Sequence, residues 1–142
     1  MNRRTRETGF TLIEILVVLV ILGLLAGLVG PRLFGKVDSS KVRTAETQVR
    51  MLKTALQTYR LDVGRYPNAE EGLAALQQRP EGAGAPTWAG PYLDENLPTD
   101  PWGNPYQYRD EPAGGQEFTL YSFGADGAPG GEGLAADIGY LP

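Results

Sequence analysis

Gly9-Phe10-Thr11-Leu12-Ile13-Glu14-Ile15-Leu16-Val17-Val18-Leu19-Val20-Ile21-Leu22-Gly23-Leu24-Leu25-Ala26-Gly27-Leu28-Val29-Gly30-Pro31 is the stretch that decides how this chain is built. From Phe10 to Gly30 the only charge is Glu14. At about 1.5 Å per residue, a helix of that length spans roughly 30 Å, the thickness of a bilayer's hydrocarbon core. Upstream, residues 1–9 are polar and carry Arg3, Arg4 and Arg6 against Glu7. Arginines on that flank keep it in the cytoplasm and send the C-terminal part across the membrane. The chain therefore reads as a leader (1–9), a single-pass transmembrane helix (10–31), and a head (32–142). A secretory signal removed whole would have a shorter apolar region ending in small residues. Ala26-Gly27-Leu28 mimics such an end, but the helical pattern continues past it.

Glu14 carries the most information in this stretch. An ionised side chain at the centre of a membrane helix costs about 3 kcal/mol on insertion scales. Two readings are open. In one, the carboxylate lies near enough to the headgroups to reach water. In the other, a cut before Phe10 creates an α-amino group, and the carboxylate of a neighbouring copy neutralises it. Such a pair acts as a register device, because a misplaced helix leaves both charges alone. Gly23, Gly27, Gly30 and Pro31 weaken the helix where it leaves the apolar run, since proline removes a backbone hydrogen bond and glycine lowers helix stability.

Beyond a polar joint at Lys36–Ser40, Val42, Ala45, Val49, Leu52, Leu56, Tyr59 and Val63 recur at alternating steps of 3 and 4. That is one apolar stripe on an amphipathic helix over 38–63, with Gly64 placed to end it. Asn68 followed by Glu71 predicts a capped turn leading into a short second helix through Leu76. Residues 64–105 are a variable loop region, dense in proline and glycine from Pro80 onward, with Trp88, Tyr92, Leu93, Leu97 and Trp102 as apolar anchors. Tyr106–Arg109 and Glu117–Phe123 alternate like strands around Gly114-Gly115, which predicts a hairpin within a sheet and loop region over 106–142. The expected fold class is α+β, a long N-terminal helix packed on a small antiparallel sheet.

Composition narrows the function. The chain has 142 residues, a net charge of −4, no histidine and no cysteine. The charge and the lack of a basic stripe argue against a nucleic-acid partner. The commonest general base, the commonest zinc ligand and every thiol nucleophile are missing. A thin core without a disulfide usually needs another staple: a metal ion, partner subunits, or both. Phe123–Ile138 is a glycine-rich loop carrying Asp126, Glu132 and Asp137. On residues alone, a solvated acidic turn is the simpler reading. The loop also offers the carboxylate and carbonyl oxygens that calcium takes, although Ala128 and Gly130 break the EF-hand spacing.

The Gly9–Gly23 string resembles the class III leader of type IV pilins and pseudopilins. That resemblance implies cleavage by a prepilin peptidase between Gly9 and Phe10, and N-methylation of Phe10. It also implies filament docking through Glu14 and a bend or local melting near Pro31 on assembly. Gly64-Arg65-Tyr66-Pro67, Glu71-Gly72-Leu73, Asp100-Pro101-Trp102-Gly103-Asn104-Pro105-Tyr106 and Ser122–Asp137 resemble the major pseudopilins of type II secretion systems. With the leader, the likeness covers nearly the whole chain. It implies an inner-membrane protein with a periplasmic head, polymerising with itself into a pseudopilus that supports export of folded proteins. The implied partners are minor pseudopilins, the prepilin peptidase and the inner-membrane assembly platform. It also implies calcium held by Asp126 and Asp137 with the backbone oxygens of Phe123 and Ala128, and less firmly by Glu132. The expected role is structural rather than enzymatic. The alternatives are a type IV pilus subunit, a membrane-tethered calcium-dependent binding module and, weakest, a carboxylate hydrolase using Asp126 and Glu132.

Overall fold

The computed structural model describes residues 9–82 and 84–142, the side chains of 31–35 excepted. The expected leader therefore lies outside the described residues, Gly9 apart. The chain divides into two compact units, with the boundary between Val37 and Asp38.

One helix, α1, runs Leu12–Val63 and takes in both expected helical segments. The polar joint stays helical. Four threonines on the second half keep their hydroxyls occupied locally: Thr44, Thr47, Thr54 and Thr58 each donate to the carbonyl four residues back, at 2.9–3.0 Å. Such back-bonding satisfies the hydroxyl without breaking the helical ladder. The Gly64 amide closes the C-terminal end on Arg60 O at 2.8 Å.

In the second unit the expected stripe is the core. Ala45, Val49, Leu52, Leu56 and Tyr59 are buried, joined by Ala55, while Val42 and Val63 lie at the margins. Leu73, Leu76, Leu93, Tyr106, Phe118 and Leu120 pack against them. Asn68 does cap a turn. Its Oδ1 accepts from the Glu70 and Glu71 amides at 3.0 and 2.8 Å, and Glu71 Oε2 accepts from the Asn68 amide at 2.9 Å. The predicted second helix shrinks to a 3-10 turn, Leu73–Leu76, because Gly72 leaves helical geometry with φ 54 and ψ −160.

Strands β1 (Gln107–Arg109), β2 (Thr119–Ser122) and β3 (Ile138–Tyr140) form an antiparallel meander with β2 central. Tyr108 faces Leu120, and Tyr121 faces Gly139. The hairpin closes on Gly114-Gly115, both at positive φ, between Ala113 and Gln116, which exchange backbone hydrogen bonds at 3.0 and 2.9 Å. This is the primed turn that suits the twist of antiparallel strands. β3 is only three residues long with glycine at its centre, too short to signal a strand in the sequence. Its pairing depends on glycine at 139, which lets two backbones approach closely.

The proline- and glycine-rich segment is laid over the head by its aromatic residues. Trp88 Nε1 donates to Ala75 O at 2.8 Å, and Tyr92 Oη donates to Asp62 Oδ2 at 2.9 Å. The Tyr108 hydroxyl reaches Pro67 O at 2.7 Å. Burial pushes the Tyr108 phenol well above its ordinary pKa, so it remains a donor.

Candidate functional site

Two regions carry the chemistry singled out in the sequence. The first is the start of α1. Thr11 is its cap: the Glu14 amide lies 3.3 Å from Thr11 Oγ1 and 3.1 Å from Thr11 O. Thr11-Leu12-Ile13-Glu14 thus has capping-box spacing, and Glu14 sits in the first turn, where the helix dipole favours a negative charge. The sequence reading missed this role of Thr11, although Thr followed three residues later by Glu is its usual signal. The apolar span Leu12–Gly30 is 19 residues long and none of it is buried. Phe10 is 82% exposed and Leu12 90%. Such a contiguous apolar surface belongs against lipid or against other helices. Pro31 lies within α1, and its side chain is not among those the structure describes.

The second region is the loop between β2 and β3. A 3-10 turn, Gly124–Asp126, and another, Gly133–Ala135, pack against each other. The approach is tight: a Cβ on Gly124 would lie 2.6 Å from Ala136 O and 3.2 Å from Ala135 O. Asp126 Oδ1 accepts from the Ala128 amide at 3.1 Å, and Asp137 Oδ2 accepts from the Gly130 amide at 3.0 Å. The other carboxylate oxygen of Asp137, Oδ1, is buried with no hydrogen-bond partner. A buried carboxylate oxygen without a partner is costly. With carbonyls at close approach and only oxygen donors in the loop, the residues fit a hard cation such as calcium. Among the described residues no three acidic, histidine or cysteine side chains gather at metal-binding reach. Asp126, Glu132 and Asp137 therefore do not form one triple cluster. Glu132 is exposed, and its carbonyl accepts from the Ala135 amide at 3.1 Å.

A buried carboxylate that the sequence reading did not single out as a site lies beneath this loop. Asp100 is 3% exposed. Its Oδ1 accepts from the Trp102 and Asn104 amides at 3.1 and 2.8 Å, and its Oδ2 accepts from Ser122 Oγ at 2.5 Å. Ser122 Oγ in turn accepts from the Gly124 amide at 3.0 Å. The Asp-Pro-x-Gly-Asn order of this turn was the available signal, since Asp at the start with Pro next is a turn signature. Burial raises the pKa of the nearby Tyr106 phenol, and the Asp100 charge acts in the same direction.

An exposed apolar N-terminal helix on a chain with a small α+β head defines the class, a pilin-like filament subunit. Residues 4–30 match the prokaryotic N-terminal methylation motif, and residues 32–141 match the family described as type II secretion system (T2SS), protein G. The type II secretion system core protein G of Pseudomonas aeruginosa is 46% identical over 138 residues, covering 96% of each chain. That of Vibrio cholerae is 42% identical over 140 residues, 98% of this chain and 94% of its own. The crystal structure of the major pseudopilin from the type 2 secretion system of enterohaemorrhagic Escherichia coli superposes with a TM-score of 0.59 at 34% identity. It covers 76% of this chain and 92% of that one. The chain belongs to the type II secretion system protein G family, the pseudopilus subunits of type II secretion. The methylation motif and the apolar helix fit a single-pass inner-membrane protein.

Proposed function

We propose that this chain is inserted in the inner membrane by α1 with the arginine flank cytoplasmic and the head periplasmic. There it is cut between Gly9 and Phe10, methylated on Phe10, and polymerised into a pseudopilus that supports export of folded proteins. The carrying observation is the bare apolar span Leu12–Gly30, broken only by Glu14. In a polymer these side chains leave lipid and pack against the same surface of other copies. The carboxylate of Glu14 then meets the new α-amino group of a neighbouring Phe10, and that pairing sets the register. Minor pseudopilins and the assembly platform are the expected neighbours during growth, and the prepilin peptidase the processing partner. The role is structural.

In the loop, Asp126 and Asp137 with the backbone oxygens of Phe123 and Ala128 would hold calcium. The orphaned Asp137 oxygen supports this reading. Calcium would supply the cross-link between the two 3-10 turns that a cysteine-free head cannot make covalently.

The test is complementation. In a host lacking its own copy of this subunit, restoring the gene should return secreted protein to the medium, with the mature chain beginning at methylated Phe10 by mass spectrometry. Restored export by a chain that still begins at Met1 would overturn the processing step. A processed chain that forms surface fibres without restoring export would overturn the secretion role.

A further inference from the structure

Resting on the calcium reading above, we propose that Asp100 is a positioning residue for the cation loop, acting through the hydroxyl of Ser122. All of its polar groups are committed to one arrangement. Its amide donates to Asn104 O at 2.8 Å, and its carbonyl accepts from the Gly103 amide at 2.9 Å. One carboxylate oxygen takes the amides of Trp102 and Asn104, which locks the Asp100–Asn104 turn. The other takes the Ser122 proton. Ser122 is fully buried at the end of β2, so its hydroxyl proton has no water to turn to.

The direction of this hydrogen bond matters. A serine hydroxyl has one proton and two lone pairs. With the proton held by Asp100, the lone pairs face the Gly124 amide, which they accept at 3.0 Å. Gly124 opens the 3-10 turn that carries Asp126, directly after Phe123, whose carbonyl is an expected ligand. The same turn presses on the Ala135 and Ala136 carbonyls beside Asp137. The two loops also run close together at Gly127, where an added Cβ would come 3.4 Å from Asn104 Nδ2. The Asp100 turn is therefore a bed on which the Phe123–Gly127 half of the cation loop is set. Asp100 itself lies outside the expected ligand set. Residues that orient ligands from behind alter metal affinity without touching the ion.

The experiment is a calcium titration by calorimetry on the full chain in detergent, with amide hydrogen exchange read at Gly124 without calcium. Asp100→Asn keeps the size and the acceptor for the turn amides, but puts an NH2 where Ser122 needs an acceptor. It should weaken calcium binding about tenfold or more, and speed Gly124 exchange in the calcium-free chain. Ser122→Ala should do the same, and the double variant should lose no more than the worse single one, since both act through one bond. Ser122→Thr, which keeps the hydroxyl, should restore much of the affinity. Unchanged calcium affinity in both single variants, with only the calcium-free melting temperature lowered, would reduce Asp100 to a general prop of the fold and overturn the proposal. A wild-type chain that takes no calcium at all would overturn the calcium reading and this inference with it.

Discussion

Replacing Gly139 by alanine probes the closest backbone approach in the sheet. Gly139 lies in β3 opposite Tyr121 at φ +133, and a Cβ there would come within 2.3 Å of Leu120 O and 2.9 Å of Tyr121 Cα. Two penalties add. Holding an L-residue in sparsely allowed backbone space costs about 1–3 kcal/mol. Forcing an atom into a packed contact costs about 1–3 kcal/mol more. Together they predict a loss of about 4 kcal/mol, enough to peel β3 away from β2. Tyr140 would go with it, giving up its edge contact with Phe118 and the hydrogen bond its hydroxyl accepts from Lys53 Nζ at 3.3 Å. Gly64→Ala is the control: φ is +85, but nothing lies within 4 Å of the added Cβ, so only a backbone penalty of about 1–2 kcal/mol applies. Urea unfolding of the full chain in detergent, followed by Trp88 and Trp102 fluorescence, measures both variants. Equal losses at the two positions would refute the argument that close approach, rather than φ alone, fixes glycine at 139.

Three further outcomes are expected. Glu14→Ala should insert normally but lower pseudopilus yield about tenfold or more, because a buried Phe10 ammonium loses its partner at a cost of about 3 kcal/mol; wild-type yield by electron microscopy would remove the register role. Removing calcium with EGTA should lower the melting temperature of the head, as binding to the folded state alone requires. An unchanged melting curve would leave Asp126 and Asp137 as turn residues. Glu71 accepts from both terminal guanidinium nitrogens of Arg65 at 2.6 Å, and that pairing holds its carboxyl below the ordinary 4.5. A depressed carboxylate stabilises the fold fully above its unfolded pKa and loses that contribution as pH falls through the folded value. Glu71→Gln should therefore cost about 1 kcal/mol at pH 7, with the gap from wild type closing below about pH 4.5; a gap constant from pH 7 to 3 would count against the pair.

The amphipathic helix over 38–63 and the membrane segment could be read from the sequence, because each has a distinct local pattern. An unbroken apolar run and a stripe at steps of 3 and 4 declare what each face must touch, whatever the rest of the chain does. Gly114-Gly115 declared its hairpin for the same local reason. Three features waited on the tertiary structure. β3 is too short, three residues centred on a glycine, to signal a strand, and it exists because Gly139 lets it close on β2. The second helix was cut to one 3-10 turn at Gly72. The hold of Asp100 on Ser122 joins positions 22 residues apart, and only the folded head brings that carboxylate beneath the loop between β2 and β3. Local pattern determined which segments are helix, anchor and turn. Long-range contact decided which polar groups are buried together, because burial and hydrogen-bond partnership belong to the packed chain and not to any window of it.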